Sequence, residues 1–279
     1  MMLHRHFARE QAAVEDKREK HPIIRVPMKN GKKAAVYVAT RNMYEDMVTA
    51  SKSLLCYSDV DIIYFLCEDD VFPIEIPNII VTMNVSGQTY FPDGGPNTQT
   101  HWTYMSLLRA VFDDMFPQHG MILSIDNDTA VVDDISDLWD LDMTDYFYAG
   151  VPDTGIYRAS GEPLYINGGV MMENLELHRA NDIGRKMQQA LNTRYYRYVT
   201  QDTIDEFCVG HILQIPLRYN ESPVTGRTNN PAIVHYAGIN KFGYGLNAER
   251  AGIYDRYRKM SWDEVASIRK ERYGKSLNR

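Results

Sequence analysis

Two carboxylates one residue apart, Asp126 and Asp128, follow the apolar run Met121-Ile122-Leu123-Ser124-Ile125. A run of that length reads as a buried strand, and strand alternation carried past its end predicts that both carboxylates face one side. Such a pair can grip one hard cation. A cation there would neutralise a diphosphate and stabilise it as a leaving group. The spacing alone is common in an acidic chain, and Asp59/Asp61 and Asp140/Asp142 share it. The preceding strand and the β-branched Thr129 and Val131 set this pair apart from the others; a solvated acidic loop is the alternative.

A second apolar run, Ala232-Ile233-Val234, ends in His235-Tyr236-Ala237-Gly238-Ile239-Asn240-Lys241. An imidazole joining two carboxylates makes a mixed nitrogen and oxygen set that suits Mn²⁺ better than Mg²⁺. Gly238 permits close approach of backbone to a ligand, and Lys241 is a point charge suited to phosphate oxygens. In Tyr165-Ile166-Asn167-Gly168-Gly169-Val170-Met171 a polar amide adjoins two glycines, where a sugar could lie against the backbone; the competing reading is a tight turn. Gln201-Asp202 opens a short helix over residues 200–207, with Thr200 as a plausible cap and Asp202 as a favourable first-turn charge.

The elements that must position these groups alternate. Apolar runs at residues 34–39, 61–67, 78–83 and 121–125 predict strands. Between them lie a helical stretch from Asn42 to Leu55 and a second carrying Met105, Leu108, Phe112 and Met115 at helical spacing before Pro117. Alternation of this kind predicts an α/β fold with a mostly parallel sheet and helices on both faces, in which ligands bind beyond the carboxyl ends of the strands. Residues 84–101, rich in Gly, Pro, Asn and Thr, read as a long loop, functional or a disordered insertion. Three parts are expected: a charged extension over 1–33, the main domain over 34–250 and a basic, aromatic helical tail over 251–279.

Composition narrows the function classes. The chain has 279 residues and a net charge of −7. Residues 1–33 carry +5 and residues 251–279 carry +4, so the middle carries −16. An acidic body with basic ends is a poor general partner for nucleic acid. No run of 18 apolar residues is present, so no membrane-spanning helix is expected. The polar start lacks the apolar core of a signal peptide, so the expected compartment is the cytoplasm. The tail mixes Arg and Lys with Tyr254, Tyr257, Trp262 and Tyr273. That is either an interfacial segment giving peripheral membrane contact or a helix docked through Trp262, Val265 and Ile268. Cys56, Cys67 and Cys208 read as packing residues rather than disulfide partners.

Taken in order, these segments resemble the family 8 glycosyltransferases, the retaining group that contains bacterial lipooligosaccharide galactosyltransferases and glycogenin. The resemblance runs over residues 34–241. Asp126-Asn127-Asp128 is similar to the family's D-x-D motif, Asp133-Asp134-Ile135-Ser136-Asp137-Leu138-Trp139 to the stretch after it, Asn167-Gly168-Gly169-Val170 to its N-s-G-v, Gln201-Asp202 to part of its D-Q-D, and His235, Gly238 and Lys241 to its closing H-x-x-G-x-x-K. The resemblance implies a single Rossmann-like GT-A domain, a UDP-hexose donor (glucose or galactose) and Mn²⁺, with Mg²⁺ as the alternative, held by Asp126, Asp128 and His235. It further implies that Ala39, Thr40 and Tyr44 form the first strand end and a uracil-stacking turn. Arg109, Asn127, Asn167, Gly168, Gly238 and Lys241 would contact the donor, and Asp153 of Ala149-Gly150-Val151-Pro152-Asp153 would bind its sugar. Gln201 would stabilise the oxocarbenium-like sugar, with Asp153 and Lys241 beside it.

The chain departs from the family where Arg41 replaces an acidic residue after Ala-Thr, Met43 replaces an Asn before Tyr44, and Thr200 replaces the first Asp of D-Q-D. Two other classes stand beside the transferase: a non-catalytic nucleotide-sugar or glycan-binding relative, and a metal-dependent nucleotidyltransferase. The acceptor, whether a saccharide, a lipid-linked saccharide or a protein, is not written in these motifs.

Overall fold

The computed structural model describes residues 18, 20–28, 31–98, 100, 103–155, 165–238, 241 and 245–278. Most of the charged extension, and Ile239, Asn240 and Phe242 to Tyr244 around the closing motif, lie outside the described residues.

Seven strands form one sheet in the order β3-β2-β1-β4-β7-β6-β8. They are β1 (Ala34–Val38), β2 (Ile62–Cys67), β3 (Ile80–Asn84), β4 (Met121–Ile125), β6 (Tyr148–Pro152), β7 (Ile166–Asn174) and β8 (Ile212–Gln214). The pairs β3-β2, β2-β1, β1-β4 and β6-β8 are parallel, while β7 runs antiparallel to β4 and β6. The expected mostly parallel α/β sheet is therefore present, with one reversed strand in its middle. β1 is buried at every position, as a central strand covered on both faces must be.

One apolar core lies on each face of the sheet. Tyr37, Phe65, Leu123 and Met172 point to the face covered by helices Tyr44–Tyr57, Gly245–Lys259 and Trp262–Tyr273. Val36, Leu66, Ile122 and Met171 point to the face covered by the segments between Tyr104 and Met115 and by helices Leu175–Ala180, Ile183–Thr193 and Thr200–Phe207. Cys56, Cys67 and Cys208 are free and buried, as packing residues should be.

Three local expectations need correction. The helix expected up to Pro117 is broken into Tyr104–Leu108, a 3-10 turn Arg109–Val111 and Phe112–Met115; packing of the buried Arg109 overrides the 3.6-residue pattern. Asn167-Gly168-Gly169 is no turn: it lies inside the fully buried β7, where glycines let other groups approach the backbone. Asp126 and Asp128 are not on a continued strand. Residues 126–128 turn between β4 and the short β5 (Thr129–Val131), and Thr129 Oγ1 donates to Asp126 O at 2.8 Å to brace that turn.

The tail docks on the domain. The capped helix Trp262–Tyr273 buries Val265 and Arg269, and Arg269 donates to Ser58 O at 2.8 Å and to Val60 O. The Trp262 indole donates to Glu75 O at 3.0 Å, and the Tyr273 hydroxyl to Asp134 at 2.8 Å. Helix Gly245–Lys259 crosses position 250 and buries Tyr254 and Tyr257. These aromatics are spent on packing. No helix among the described residues is long and apolar enough to cross a membrane.

Candidate metal and donor site

The short strand β5 pairs antiparallel with β9 (Ile233–His235), setting Thr129 opposite His235. That pairing swings the imidazole over the turn that carries both carboxylates. Donor atoms of Asp126, Asp128 and His235 all lie within 4.8 Å of one another. His235 Nε2 is 3.5 Å from Asp126 Oδ2 and 3.5 Å from Asp128 Oδ1. Lys241 Nζ lies 3.4 Å from Asp128 Oδ2, and the Arg109 guanidinium donates to Asp126 Oδ1 and, at 2.5 Å, to Gly168 O. Asp126 N–H is held by Gly169 O at 2.8 Å.

The electrostatics suit a cation. Burial opposes charge on Asp128, but the His235 ring and then Lys241 outweigh it and hold the carboxyl down at about 2. Burial likewise disfavours an imidazolium at His235, yet Asp128 and Asp126 raise its pKa above the ordinary histidine value. Two carboxylates with one imidazole nitrogen form a mixed oxygen and nitrogen donor set. The residues present therefore fit a divalent ion.

Other expected residues gather at the same edge. Asp153 is buried, and its carboxylate accepts from Asn167 Nδ2 at 3.2 Å and from Gly155 N at 3.2 Å. Gln201 Oε1 accepts from Gly168 N at 2.9 Å. Asp202 accepts from Tyr165 Oη at 2.5 Å and Tyr198 N at 2.9 Å, so it braces the helix start that presents Gln201. That helix follows Val199, whose φ of 37° is strained for a β-branched residue. Asn127 is buried and donates to Val38 O at 2.7 Å, while its Oδ1 has no partner among the described residues. Gly238 has a φ of +106°, and among the described residues nothing lies within 4 Å of where a β-carbon would be.

At the end of β1, Ala39 N–H bonds Leu66 O at 3.1 Å, and Thr40 Oγ1 donates to Asn42 Oδ1 at 2.7 Å. Tyr44 is only 3% exposed. Its ring packs on Phe72 with centroids 4.7 Å apart, and its hydroxyl donates to Asp69 at 2.9 Å and accepts from Glu68 N at 2.7 Å. Arg41 also pairs with Asp69, at 3.0 Å.

Sequence reasoning missed three supports. Asn220, fully buried, accepts from His235 Nδ1 at 2.9 Å. Its neighbour Glu221 is fully buried and paired with Arg250 at 3.1 Å, while Glu221 O accepts from His235 N at 2.8 Å. Tyr254 Oη donates to Asp46 at 2.8 Å and to Asn127 O at 3.3 Å, so the docked tail touches the turn of carboxylates. Asn220 and Glu221 sit in a loop that carries no spacing signal; Tyr254 was legible only as one of the aromatics of the basic tail.

An α/β sheet of this order, with an acidic turn and a histidine at the carboxyl end of its central strands, defines a GT-A type domain. The chain belongs to glycosyl transferase family 8, whose family model matches residues 74–242. It is 27% identical over 171 residues to General stress protein A of Bacillus subtilis, a match covering 51% of this chain and 60% of that protein. A second relative, from Haemophilus influenzae, is 29% identical over 140 residues, 42% of each chain. The matched stretch thus spans less than two thirds of either relative. Among solved structures, the galactosyltransferase LgtC in complex with donor and acceptor sugar analogs superposes with a TM-score of 0.64 at 18% identity, covering 84% of this chain and 99% of that one. The glycosyltransferase GlyE of Streptococcus pneumoniae superposes with 0.65 at 20% identity, covering 90% and 65%. At such identities the likeness is one of fold.

Proposed function

We propose that this protein is a retaining glycosyltransferase that moves a hexose, glucose or galactose, from a UDP-sugar to an acceptor, using Mn²⁺ held by Asp126, Asp128 and His235. The observation that carries the reading is the convergence of those three side chains, from two distant segments, beside Asn167, Asp153 and Gln201. A metal-holding turn and a polar cradle for a sugar at one sheet edge are the two parts such a reaction needs.

When bound, a divalent cation offsets the charge that develops on the departing diphosphate. Lys241, on the Asp128 side, supplies a further positive charge for phosphate oxygens, and Arg109 holds Asp126 against the Gly168 carbonyl. Asp153 is oriented by Asn167 to accept from sugar hydroxyls. Gln201, fixed by the Gly168 amide, sets its uncharged polar group against the anomeric carbon. An amide is a poor nucleophile, so double displacement through it is disfavoured. The acceptor hydroxyl attacks on the face that the diphosphate leaves, and the departing phosphate oxygen takes its proton. Ala39 and Thr40 line the base end, with Tyr44 buried against Phe72 beneath that turn rather than free to stack on the base, and Asn127, Gly168 and Gly238 let the donor lie close to the backbone. The protein acts in the cytoplasm on a saccharide, lipid-linked saccharide or protein acceptor. With its tail docked, any membrane contact rests on the outward basic residues, such as Lys259 and Lys270.

The test is donor hydrolysis without acceptor, over a panel of nucleotide sugars with and without Mn²⁺, followed by proton NMR. Mn²⁺-dependent release of UDP from a hexose donor is expected, with the sugar appearing first in the donor's anomeric form. Neither turnover nor a thermal shift with any donor would overturn the reading.

A further inference from the structure

A continuous line of hydrogen bonds joins His235 to Asp153 through two buried amides. His235 Nδ1 meets Asn220 Oδ1 at 2.9 Å, Asn220 Nδ2 meets Asn167 Oδ1 at 2.9 Å, and Asn167 Nδ2 meets Asp153 Oδ2 at 3.2 Å. Asn167 Oδ1 also accepts from Gly169 N at 3.0 Å.

The direction of every bond is forced from one end. A backbone N–H only donates and a carboxylate only accepts. Asn167 must therefore turn its oxygen to Gly169 and its nitrogen to Asp153. That oxygen also faces Asn220, which must present its nitrogen there and its oxygen to His235. Nδ1 of His235 consequently carries the hydrogen, and Nε2 is the ring atom aimed between Asp126 and Asp128. The backbone that carries Asn220 is itself held: its carbonyl oxygen accepts from Thr225 Oγ1, and its N–H donates to Leu217 O at 3.0 Å.

We propose that Asn220 is a positioning residue that fixes the tautomer and ring plane of His235 for a divalent cation and, through Asn167, couples that site to the sugar-facing carboxylate of Asp153. The inference rests on the reading of Asp126, Asp128 and His235 as a cation site. Asn220 is fully buried, so it touches neither donor nor acceptor and acts through its neighbours. Partners that orient a ligating imidazole in this way typically change metal affinity 10- to 100-fold when lost, roughly as for other metal sites.

Two substitutions separate the halves of the line. Asn220→Ala removes both bonds. Asn220→Asp keeps an acceptor for His235 Nδ1–H but can no longer donate to Asn167. The full chain is titrated with Mn²⁺ alone, following the free ion by electron paramagnetic resonance, and then with UDP-glucose and UDP-galactose at saturating Mn²⁺ by calorimetry. Long-range proton–nitrogen NMR of the metal-free chain, at a pH high enough to leave His235 neutral, reads its tautomer, and thermal unfolding checks that each variant is folded.

Asn220→Ala is expected to weaken Mn²⁺ about 10- to 100-fold and to lose the single Nδ1–H tautomer. Asn220→Asp is expected to hold Mn²⁺ within about threefold of the unaltered chain while binding the sugar nucleotide about tenfold more weakly, the size of one lost hydrogen bond. Unchanged Mn²⁺ affinity in Asn220→Ala, or an Asn220→Asp variant as weak for Mn²⁺ as Asn220→Ala, overturns the inference and leaves the proposed function standing. Should Asn220→Ala not fold, Asn220→Asp decides, and unchanged sugar-nucleotide affinity overturns the coupling. No Mn²⁺ binding by the unaltered chain overturns the cation reading itself.

Discussion

Gly169 faces the imidazole of His235 so closely that a β-carbon built there would lie 2.1 Å from Cε1 and 2.4 Å from Nδ1. The absence of a side chain at this position of a central strand is what lets a histidine from β9 reach the carboxylates beyond β4. Gly169→Ala is therefore expected to displace His235 or bend β7, at about 1–3 kcal/mol for overpacking, and to weaken Mn²⁺ binding with it. Gly168→Ala makes the contrast: its β-carbon would meet Gln201 Cγ and Oε1 at 3.2 Å, a flexible side chain that can give. Thermal unfolding should barely move for Gly168→Ala while donor turnover falls. Equal stability and equal Mn²⁺ affinity in Gly169→Ala would show the contact to be unimportant.

The two carboxylates are not equivalent once turned to amides. Asp126→Asn and Asp128→Asn should both abolish Mn²⁺-dependent donor hydrolysis. Arg109 is buried and has Asp126 as its ion-pair partner, so Asp126→Asn should also cost about 1–2 kcal/mol of stability. Lys241, the partner of Asp128, is 30% exposed and can turn to water, so Asp128→Asn should unfold close to the unaltered chain. Calorimetry of the three proteins without metal measures the difference; the reverse order would contradict the assigned pairing.

Arg250→Ala should be among the most destabilising changes near the site. Glu221 is fully buried and its carboxylate is held by Arg250 and by Thr228 N. Removing one member of a buried pair strands the other charge, at about 3–5 kcal/mol; the quarter-exposed side chain of Arg250 favours the lower end. Chemical denaturation reads this directly. Because Glu221 O also holds His235 N–H, Mn²⁺ affinity should fall as well, and a variant of unchanged stability would remove Glu221 from the supports of the site.

Glu173 gives the fold a pH dependence of its own. It is fully buried, with no hydrogen bond of full geometry at either oxygen among the described residues. Burial pushes its pKa up to about 8, with Arg109 and then the Ser124 hydroxyl pulling the other way. The folded protein then keeps a proton that the unfolded chain releases near its ordinary carboxyl pKa. Stability from this group is complete below about pH 4, falls as pH rises, and levels off above about pH 8. Glu173→Gln should flatten that decline between pH 5 and 8. An identical slope in both proteins, measured by denaturant unfolding across that range, would assign it elsewhere.

Much of the site was legible because its local signals are short. An apolar strand followed at once by Asp126 and Asp128, and another by His235, mark both halves of the candidate metal site without the fold. Asn167-Gly168-Gly169 was legible as a place of close approach but not as a strand, because glycine favours turns in isolation and only pairing with β4 and β6 holds it extended. The turn of residues 126–128 was hidden for a similar reason: strand alternation was extended past the point where pairing stops. Asn220 and Glu221 left no usable trace, since a buried polar residue in a loop looks like any loop residue until its partners are known, and Tyr254 was legible only as one of the tail's aromatics.

Sequence by itself determined which elements alternate, which face of each is apolar, which residues can bind a cation, and membership of a glycosyltransferase family. Those properties are local, set by side-chain type and by periods of two or 3.6 residues. Tertiary structure decided the reversed strand in the middle of the sheet, the meeting of His235 with residues more than a hundred positions earlier, and the docking of the basic tail by its aromatic face. It also decided the direction of the hydrogen bonds that run from Gly169 to His235. Each depends on pairing between distant segments, where desolvation and the need to satisfy every buried polar group choose among arrangements that the local pattern allows equally.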